Sequence, residues 1–197
     1  KLKLAVDYRR LDSATIDDGG LLGDQADVLE TFRGKPYVSL CDAAGGFYQF
    51  AIHPDDRKKT CFVLPSACGG TTFQWRIAPY GLKNMPAIYS RAIMHLTAGL
   101  QDYDLGPAKH EDNTVMRPER SLGNGSVNTW IDDFTLASGG ATPGYGVRGH
   151  AALLDIVFRR LIQAGITLKA SKSHILRKNL EVLGYVVTRD GIKPNPE

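Results

Sequence analysis

Apolar residues along this chain recur with two different periods. In the first they return every three to four positions. Tyr89, Ile93, Leu96 and Leu100 fall at i, i+4, i+7 and i+11, one face of a helix that begins near Asn84, a favourable N-cap, with Pro86 in its first turn. Leu153, Leu154, Val157, Phe158, Leu161 and Ile162 make a broad stripe on a second helix over 150–164, and Gly165 stands where that helix must stop. A shorter helix over 28–32 ends at Gly34. In the second pattern, short runs rich in β-branched and aromatic residues read as strands, at 2–6, 37–41, 47–52, 60–64, 71–77, 127–131, 134–137, 166–168, 174–176 and 182–187. A turn at Asp190-Gly191 closes a last hairpin. Polar stretches rich in glycine or proline, at 17–23, 65–70, 101–126 and 139–149, read as loops. The order strand, helix, hairpin, helix, strand is a split βαβ arrangement. It predicts an α+β fold, a ferredoxin-like antiparallel sheet with helices on one face.

Composition narrows the class only a little. With 197 residues and 43% hydrophobic content, the chain can build a packed core as one domain or a domain with a sub-lobe. A net charge of +3 is compatible with nucleic acid without pointing to it. No apolar run approaches the roughly 20 residues of a membrane span. The first residue is Lys1, no signal peptide is visible, and the reading is a piece of a longer intracellular protein, cytoplasmic or nuclear. Cys41, Cys61 and Cys68 are odd in number and contain no Cys-x-x-Cys pair, which argues against a zinc site or a disulfide framework. The five histidines have no ligand spacing.

The candidate chemistry lies in the carboxylates. Asp132 and Asp133 sit between two strand-like runs, so a hairpin carries two carboxylates at its tip. Held close together they repel unless a cation lies between them, and Mg²⁺ is a hard cation that takes oxygen ligands. Two other pairs, Asp17-Asp18 and Asp55-Asp56, lack apolar strands on both sides and read as solvated turns. The run over 37–41 ends in Asp42, followed by the turn Ala43-Ala44-Gly45-Gly46. If those strands pair, the three carboxylates converge. That constellation suits two metal ions ~3.5–4 Å apart that clamp the attacking and leaving oxygens of a phosphoryl transfer. A competing motif, Gly144-Tyr145-Gly146-Val147-Arg148-Gly149, matches the dinucleotide-binding spacing. It does not directly follow a strand, and the positions about 20 residues on carry Lys169 and Lys172 instead of an acid, so a loop is the better reading.

Taken in order, several segments resemble the motifs of a reverse transcriptase of the gypsy-type LTR retrotransposon class. They are Val6 to Asp12, Leu40-Cys41-Asp42 through Phe50, Ala78-Pro79-Tyr80-Gly81-Leu82-Lys83-Asn84, Trp130-Ile131-Asp132-Asp133, Leu168 to Lys172, and Val182-Leu183-Gly184-Tyr185 with Asp190 to Pro194. The resemblance implies a polymerase palm with part of the fingers. It divides the chain into partial fingers (1–36), the first catalytic hairpin (37–64), return strands (65–83), a palm helix (84–100), a loop insertion (101–126), the remaining palm (127–187), and a final hairpin (188–197) leading toward a thumb. It also implies nucleotidyl transfer from a dNTP to a primer 3′-hydroxyl on an RNA or DNA template. Asp42, Asp132, Asp133 and the carbonyl of Ala43 would hold two Mg²⁺ ions, with Mn²⁺ as a substitute. Phe47 would select the deoxyribose, and Lys172 would give a proton to pyrophosphate. Lys3, Tyr80 and Gly81 would touch the nucleotide. The thumb and RNase H would belong to the rest of a polyprotein.

Departures from the family pattern give the resemblance a second reading. Trp130 stands where the family carries tyrosine, and Asp17-Asp18-Gly19-Gly20 replaces a basic stretch. The second reading is a domesticated, catalytically silent domain, a structural or RNA-contacting subunit of a larger protein or ribonucleoprotein assembly.

Overall fold

The computed structural model describes residues 4–20, 24–66, 69–100, 125–139, 146–188 and 191–195. Two short helices, α1 (Arg9–Ala14) and α2 (Gln25–Glu30), precede β1 (Tyr37–Asp42). A one-turn helix α3 (Pro54–Arg57) and the small antiparallel pair β2 (Phe62–Val63) and β3 (Thr72–Phe73) follow. Then come α4 (Met85–Leu96), β4 (Gly125–Trp130), β5 (Asp133–Ser138) and α5 (Gly146–Gln163). The strands β6 (His174–Arg177), β7 (Leu180–Val182), β8 (Tyr185–Thr188) and β9 (Gly191–Pro194) complete the order.

The main sheet has the order β4-β5-β1-β6 and is antiparallel throughout. Its central strand β1 is buried on both faces, which is why it reads as a nearly continuous apolar run. Alternation along the strands divides the core into two layers. Cys41, Val127, Phe134 and Leu136 pack under α4 and α5, against Tyr89, Ile93, Leu153, Val157 and Leu161. Val38, Leu40 and Ala137 face the other way, against Val28 and Phe32 and against Leu180, Val182 and Val187 of the second sheet, β7-β8-β9. The α+β expectation with the two long helices on one face therefore holds, and the opposite face is covered by α2 and the smaller sheet.

Polar groups lock the long helices to that sheet. His150 is fully buried, and its two ring nitrogens meet Ser39 Oγ at 2.7 Å and Ser138 Oγ at 2.8 Å. A neutral imidazole has one donor and one acceptor nitrogen, which suits one hydroxyl on each side. Burial pushes its pKa down to about 4. The Ser39 hydroxyl also accepts the Leu176 N–H, closing the irregularity where β6 slips against β1. Arg160 of α5 donates to the carbonyls of Leu96 and Ala98, supplying partners to the open C-terminal end of α4. The end of α5 closes itself: Gly165 is left-handed (φ 71°), its N–H bonds Ile162 O, and the Ile166 N–H bonds Leu161 O.

Several expected boundaries shift, each for a local reason. The strand over 47–52, and with it the first catalytic hairpin, is replaced by a 3₁₀ turn, Gly46–Gln49. Gly45 (φ 76°) and Gly46 (φ 44°) turn the chain into left-handed backbone, Phe47 packs on Tyr80 and Tyr48 stacks on Trp75, and only the end of the run pairs, through the Ala51–Ile77 bridge. Residues 4–6 are not strand, and the runs over 60–64 and 71–77 pair with each other at only two positions, Phe62 with Phe73 and Val63 with Thr72, while Ile77 bridges to Ala51. The run over 182–187 divides into β7 and β8 because Leu183 (φ 51°) and Gly184 (φ 78°) make a tight turn. Asn84 does sit at the N-cap position of α4, but its side chain makes no cap bond and reaches to the 15–20 segment instead. The loop expected over 139–149 is already helix from Gly146, and Gly125 and Ser126 of the expected insertion are buried in β4. Residues 101–124 lie outside the described residues. Leu100, beyond the end of α4, is fully buried, and its carbonyl accepts the Val127 N–H.

Candidate active site

The β4–β5 hairpin turns in two residues. Trp130 pairs with Asp133, leaving Ile131 (φ 49°) and Asp132 at the tip. On the far side of β5, β1 pairs in register down to Asp42 opposite Asp133. Directly opposed residues on antiparallel strands project to the same face. By the same alternation, Asp42 and Asp133 share the face that looks away from α4 and α5. The tip is tied back to β1, since the Ala43 N–H bonds Asp132 O at 2.8 Å. The end of β1 is also held from its other edge. The Lys169 N–H bonds Asp42 O at 2.8 Å, the Asp42 N–H reaches Ser173 Oγ at 3.3 Å, and Ala43 bridges to Leu168. Lys172 Nζ lies 3.4 Å from Asp42 Oδ2.

The electrostatics of the three carboxylates are those of like charges forced together. Burial, then Asp42 and Asp132, push Asp133 up to about 6, with Lys172 opposing. Burial, then Asp42, raise Asp132 as well, with Tyr89 and Lys172 opposing. Asp132 Oδ1 is buried without a hydrogen-bond partner, and so is the Tyr89 hydroxyl. The two groups couple, because burial and then the Asp132 charge raise the Tyr89 hydroxyl, yet neither lies within hydrogen-bonding geometry of the other. An unsatisfied buried carboxylate oxygen beside two further carboxylates is costly on its own and is the arrangement a hard cation would relieve. Among the described residues, no three acidic or thiol or imidazole groups are drawn tightly enough to form a complete cation cage.

Gly46 shapes the pocket under Asp132. A Cβ there would fall 2.7 Å from Asp132 Oδ2 and closer still to Oδ1, so only glycine leaves room for that carboxylate. Phe47, next along the chain, is buried, with Tyr80 (5.0 Å between ring centres) and Tyr89 (5.3 Å) against it. Tyr80 is 47% exposed and feels the carboxylates: burial, then Asp132, Tyr48 and Asp42, raise its hydroxyl. Tyr48 meets Tyr80 edge-on and stacks on Trp75. Gly81 (φ 98°) follows in left-handed backbone over Tyr8. Asp42, Ala43, Asp132, Asp133, Lys172, Phe47 and Tyr80 therefore gather at one end of β1; Gly81 follows Tyr80 in the chain but has Tyr8 and Val6 as its neighbours, and Lys3 lies outside the described residues. Cys41 is inert beside them, because burial pushes its thiol up to about 12.

Tyr89 and Gly46 join this region without having been singled out from the sequence. Helical spacing placed Tyr89 in the core, where a tyrosine instead of a phenylalanine signals that the hydroxyl has something polar to face. Gly46 read only as a turn residue. Nothing local in the sequence tells that its missing side chain makes space for an aspartate 86 positions away.

The Retrovirus-related Pol polyprotein from transposon 297 of Drosophila melanogaster is 28% identical over 196 residues, covering 100% of this chain and 16% of that protein. The Enzymatic polyprotein of Figwort mosaic virus (strain DxS) is 33% identical over 190 residues, covering 96% of the chain and 23% of the polyprotein. The chain thus spans less than a quarter of either relative. Among solved structures, the foamy viral protease-reverse transcriptase in complex with an RNA/DNA hybrid superposes with a TM-score of 0.74 at 21% identity, covering 98% of this chain and 22% of that one. The same viral enzyme with double-stranded DNA gives 0.75 at 22% identity, covering 96% of this chain and 28% of that one. The family model described as Reverse transcriptase (RNA-dependent DNA polymerase) matches residues 4–187. Since that match takes in nearly every described element, the chain belongs to the reverse transcriptase family.

Proposed function

We propose that this chain is the fingers–palm portion of an RNA-directed DNA polymerase, with its active centre at the end of β1. The observation that carries the reading is the in-register opposition of Asp42 and Asp133, with Asp132 in the adjoining turn and its Oδ1 unsatisfied. Asp42, Asp132, Asp133 and the Ala43 carbonyl would hold two Mg²⁺ ions, or Mn²⁺ in their place. Bound there, the ions would lower the pKa of the primer 3′-hydroxyl and neutralise the triphosphate.

The protein's own groups do the rest. Lys172, 3.4 Å from Asp42 and mostly exposed, would offset the carboxylate charge and give a proton to departing pyrophosphate. The Phe47–Tyr80 pair forms the wall beside the carboxylates, with Phe47 the candidate for excluding a 2′-hydroxyl. Gly81 and Tyr80 bring backbone and ring to the nucleotide, and Lys3 would meet its phosphates as a point charge. Template, primer and dNTP are the partners this reading requires. A thumb and RNase H supplied by the rest of a polyprotein fit the small share of the relatives that the chain covers. None of the described helices is long and apolar enough to cross a membrane, and the setting proposed with this function is cytoplasmic or nuclear. The division into fingers and palm is kept within this proposal, except that a 3₁₀ turn follows β1 in place of a hairpin and that Gly125 and Ser126 belong to β4.

Primer extension by a polyprotein carrying this chain is the test. Asp132→Asn should lower incorporation by at least about a hundredfold while primer–template binding stays nearly intact, because the amide cannot replace the charge. Extension at the wild-type rate would refute the proposal. Phe47→Ala should admit ribonucleotides, and an unchanged dNTP/rNTP ratio would reduce Phe47 to packing alone.

A further inference from the structure

The segment over 15–20 is strapped across the start of α4. Asp18 makes a two-pronged ion pair with Arg91, at 2.8 and 2.7 Å. Asn84 closes the strap from both sides: its Oδ1 accepts the Asp18 N–H and its Nδ2 donates to Ile16 O. Gly20 lies so close to Ala87 that an added Cβ would collide with the Ala87 side chain. These contacts fix where Asp17 stands, and its carboxylate lies 3.3 Å from Lys83 Nζ. The Asp17 carboxyl is held below its usual range, by the Gly19 N–H first and by Lys83 next. The Lys83 backbone N–H bonds Asp12 Oδ1, which fixes the main chain from which the ammonium extends. Asp17 itself is largely exposed, and besides Lys83 it holds the Gly19 N–H of its own turn.

We infer that Asp17 is an internal phosphate mimic, holding the Lys83 ammonium that would otherwise contact the nucleic-acid backbone, so that the strap limits the grip of this chain on a template strand. The inference rests on the nucleic-acid reading above and adds a regulatory contact to it. A carboxylate on an exposed loop and a phosphate of a passing strand compete for the same cation. Each cation freed adds about 0.7 to the slope of log affinity against log salt for a single strand. Asp18 and Arg91 are the anchor, and Asp17 alone is the mask.

The test uses the 197-residue chain and a labelled primer–template with a single-stranded template overhang, titrated from about 20 to 200 mM salt. Asp17→Asn keeps the Oδ1 that accepts the Gly19 N–H and removes only the charge. It should bind roughly three- to tenfold tighter at the low-salt end, with the slope steeper by about 0.7. Adding Lys83→Ala to that variant should return both affinity and slope to the wild-type values. Asp17→Ser, with a hydroxyl in the same turn, should repeat the gain and guards against an effect of the amide itself. If wild type binds and both Asp17 variants show its affinity and slope, the masking role is wrong while the nucleic-acid reading stands. If none of the forms binds even at 20 mM salt, both are overturned. A gain that survives Lys83→Ala would also overturn the inference, because the freed cation would then be some other group.

Discussion

At the residue scale, the site depends on what is missing as much as on what is present. Gly46 is the clearest case. Its φ of 44° strains any L side chain, and a Cβ would press on the Asp132 carboxylate. Gly46→Ala should therefore cost about 1–3 kcal/mol of stability and, in a polyprotein context, lower extension at least about tenfold. Native stability and rate in that variant would show that Asp132 does not need its present position. Asp133 gives a pH signature. Its folded pKa, about 6, lies above the ordinary 3.8, so the protonated form is the favoured one in the fold. The stability it contributes is full below about pH 3.8 and is lost as pH rises through 6. The difference in melting temperature between wild type and Asp133→Asn should thus widen in favour of the variant between pH 4 and 7. Added Mg²⁺ should narrow that gap at pH 7.5. A gap that does not change with pH would mean that Asp133 is not under charge stress.

At the scale of elements, α5 is held by burial and by one histidine. His150 has a folded pKa of about 4 against an unfolded 6.5. Between those values the unfolded chain binds the proton and the folded chain does not, so stability falls as pH drops from about 6.5 to 4. The loss should approach about 3 kcal/mol at most. His150→Gln, measured by urea unfolding from pH 7 to 4, should start lower and show a shallower fall over that window. An identical slope would contradict the neutral, buried assignment. Arg160→Ala should cost about 1–2 kcal/mol, since two carbonyls at the end of α4 lose their partner. Elements of this size were the legible ones. The helical faces through Tyr89 and Leu153, the Gly165 stop and the Asp-Asp hairpin all follow from periodicity and turn chemistry. Ile162 fell in the expected stripe but is 76% exposed, because α5 meets its sheet along a narrower face than the periodicity marks. The run over 47–52 misled because β-propensity reflects packing, and Phe47 and Tyr48 are packed by Tyr80 and Trp75 in a turn and not by a neighbouring strand.

For the whole molecule, the convergence of Asp42 with Asp132 and Asp133 was legible as a conditional: if the strands pair, the acids meet. What could not be read was the support behind them, because Tyr89, Lys169 and Ser173 arrive from parts of the chain with no local mark of that role. The Asp17-Asp18 pair shows the same limit. It read as a solvated turn and as a replacement for a basic stretch, and the fold pairs it with Lys83 and Arg91. With a net charge of only +3, the isolated chain should bind primer–template weakly and in a salt-sensitive way, and should show no processive synthesis. Robust processive extension by the chain alone would contradict that. The central claim is that Asp42, Asp132 and Asp133 act as one cation site. Titration of the chain with Mn²⁺ at pH 7.5, followed by the loss of the free-ion electron paramagnetic resonance signal, tests it most directly. Saturable binding that disappears in the Asp42→Asn, Asp132→Asn double variant is the expected result, and binding that is the same in both proteins would contradict it.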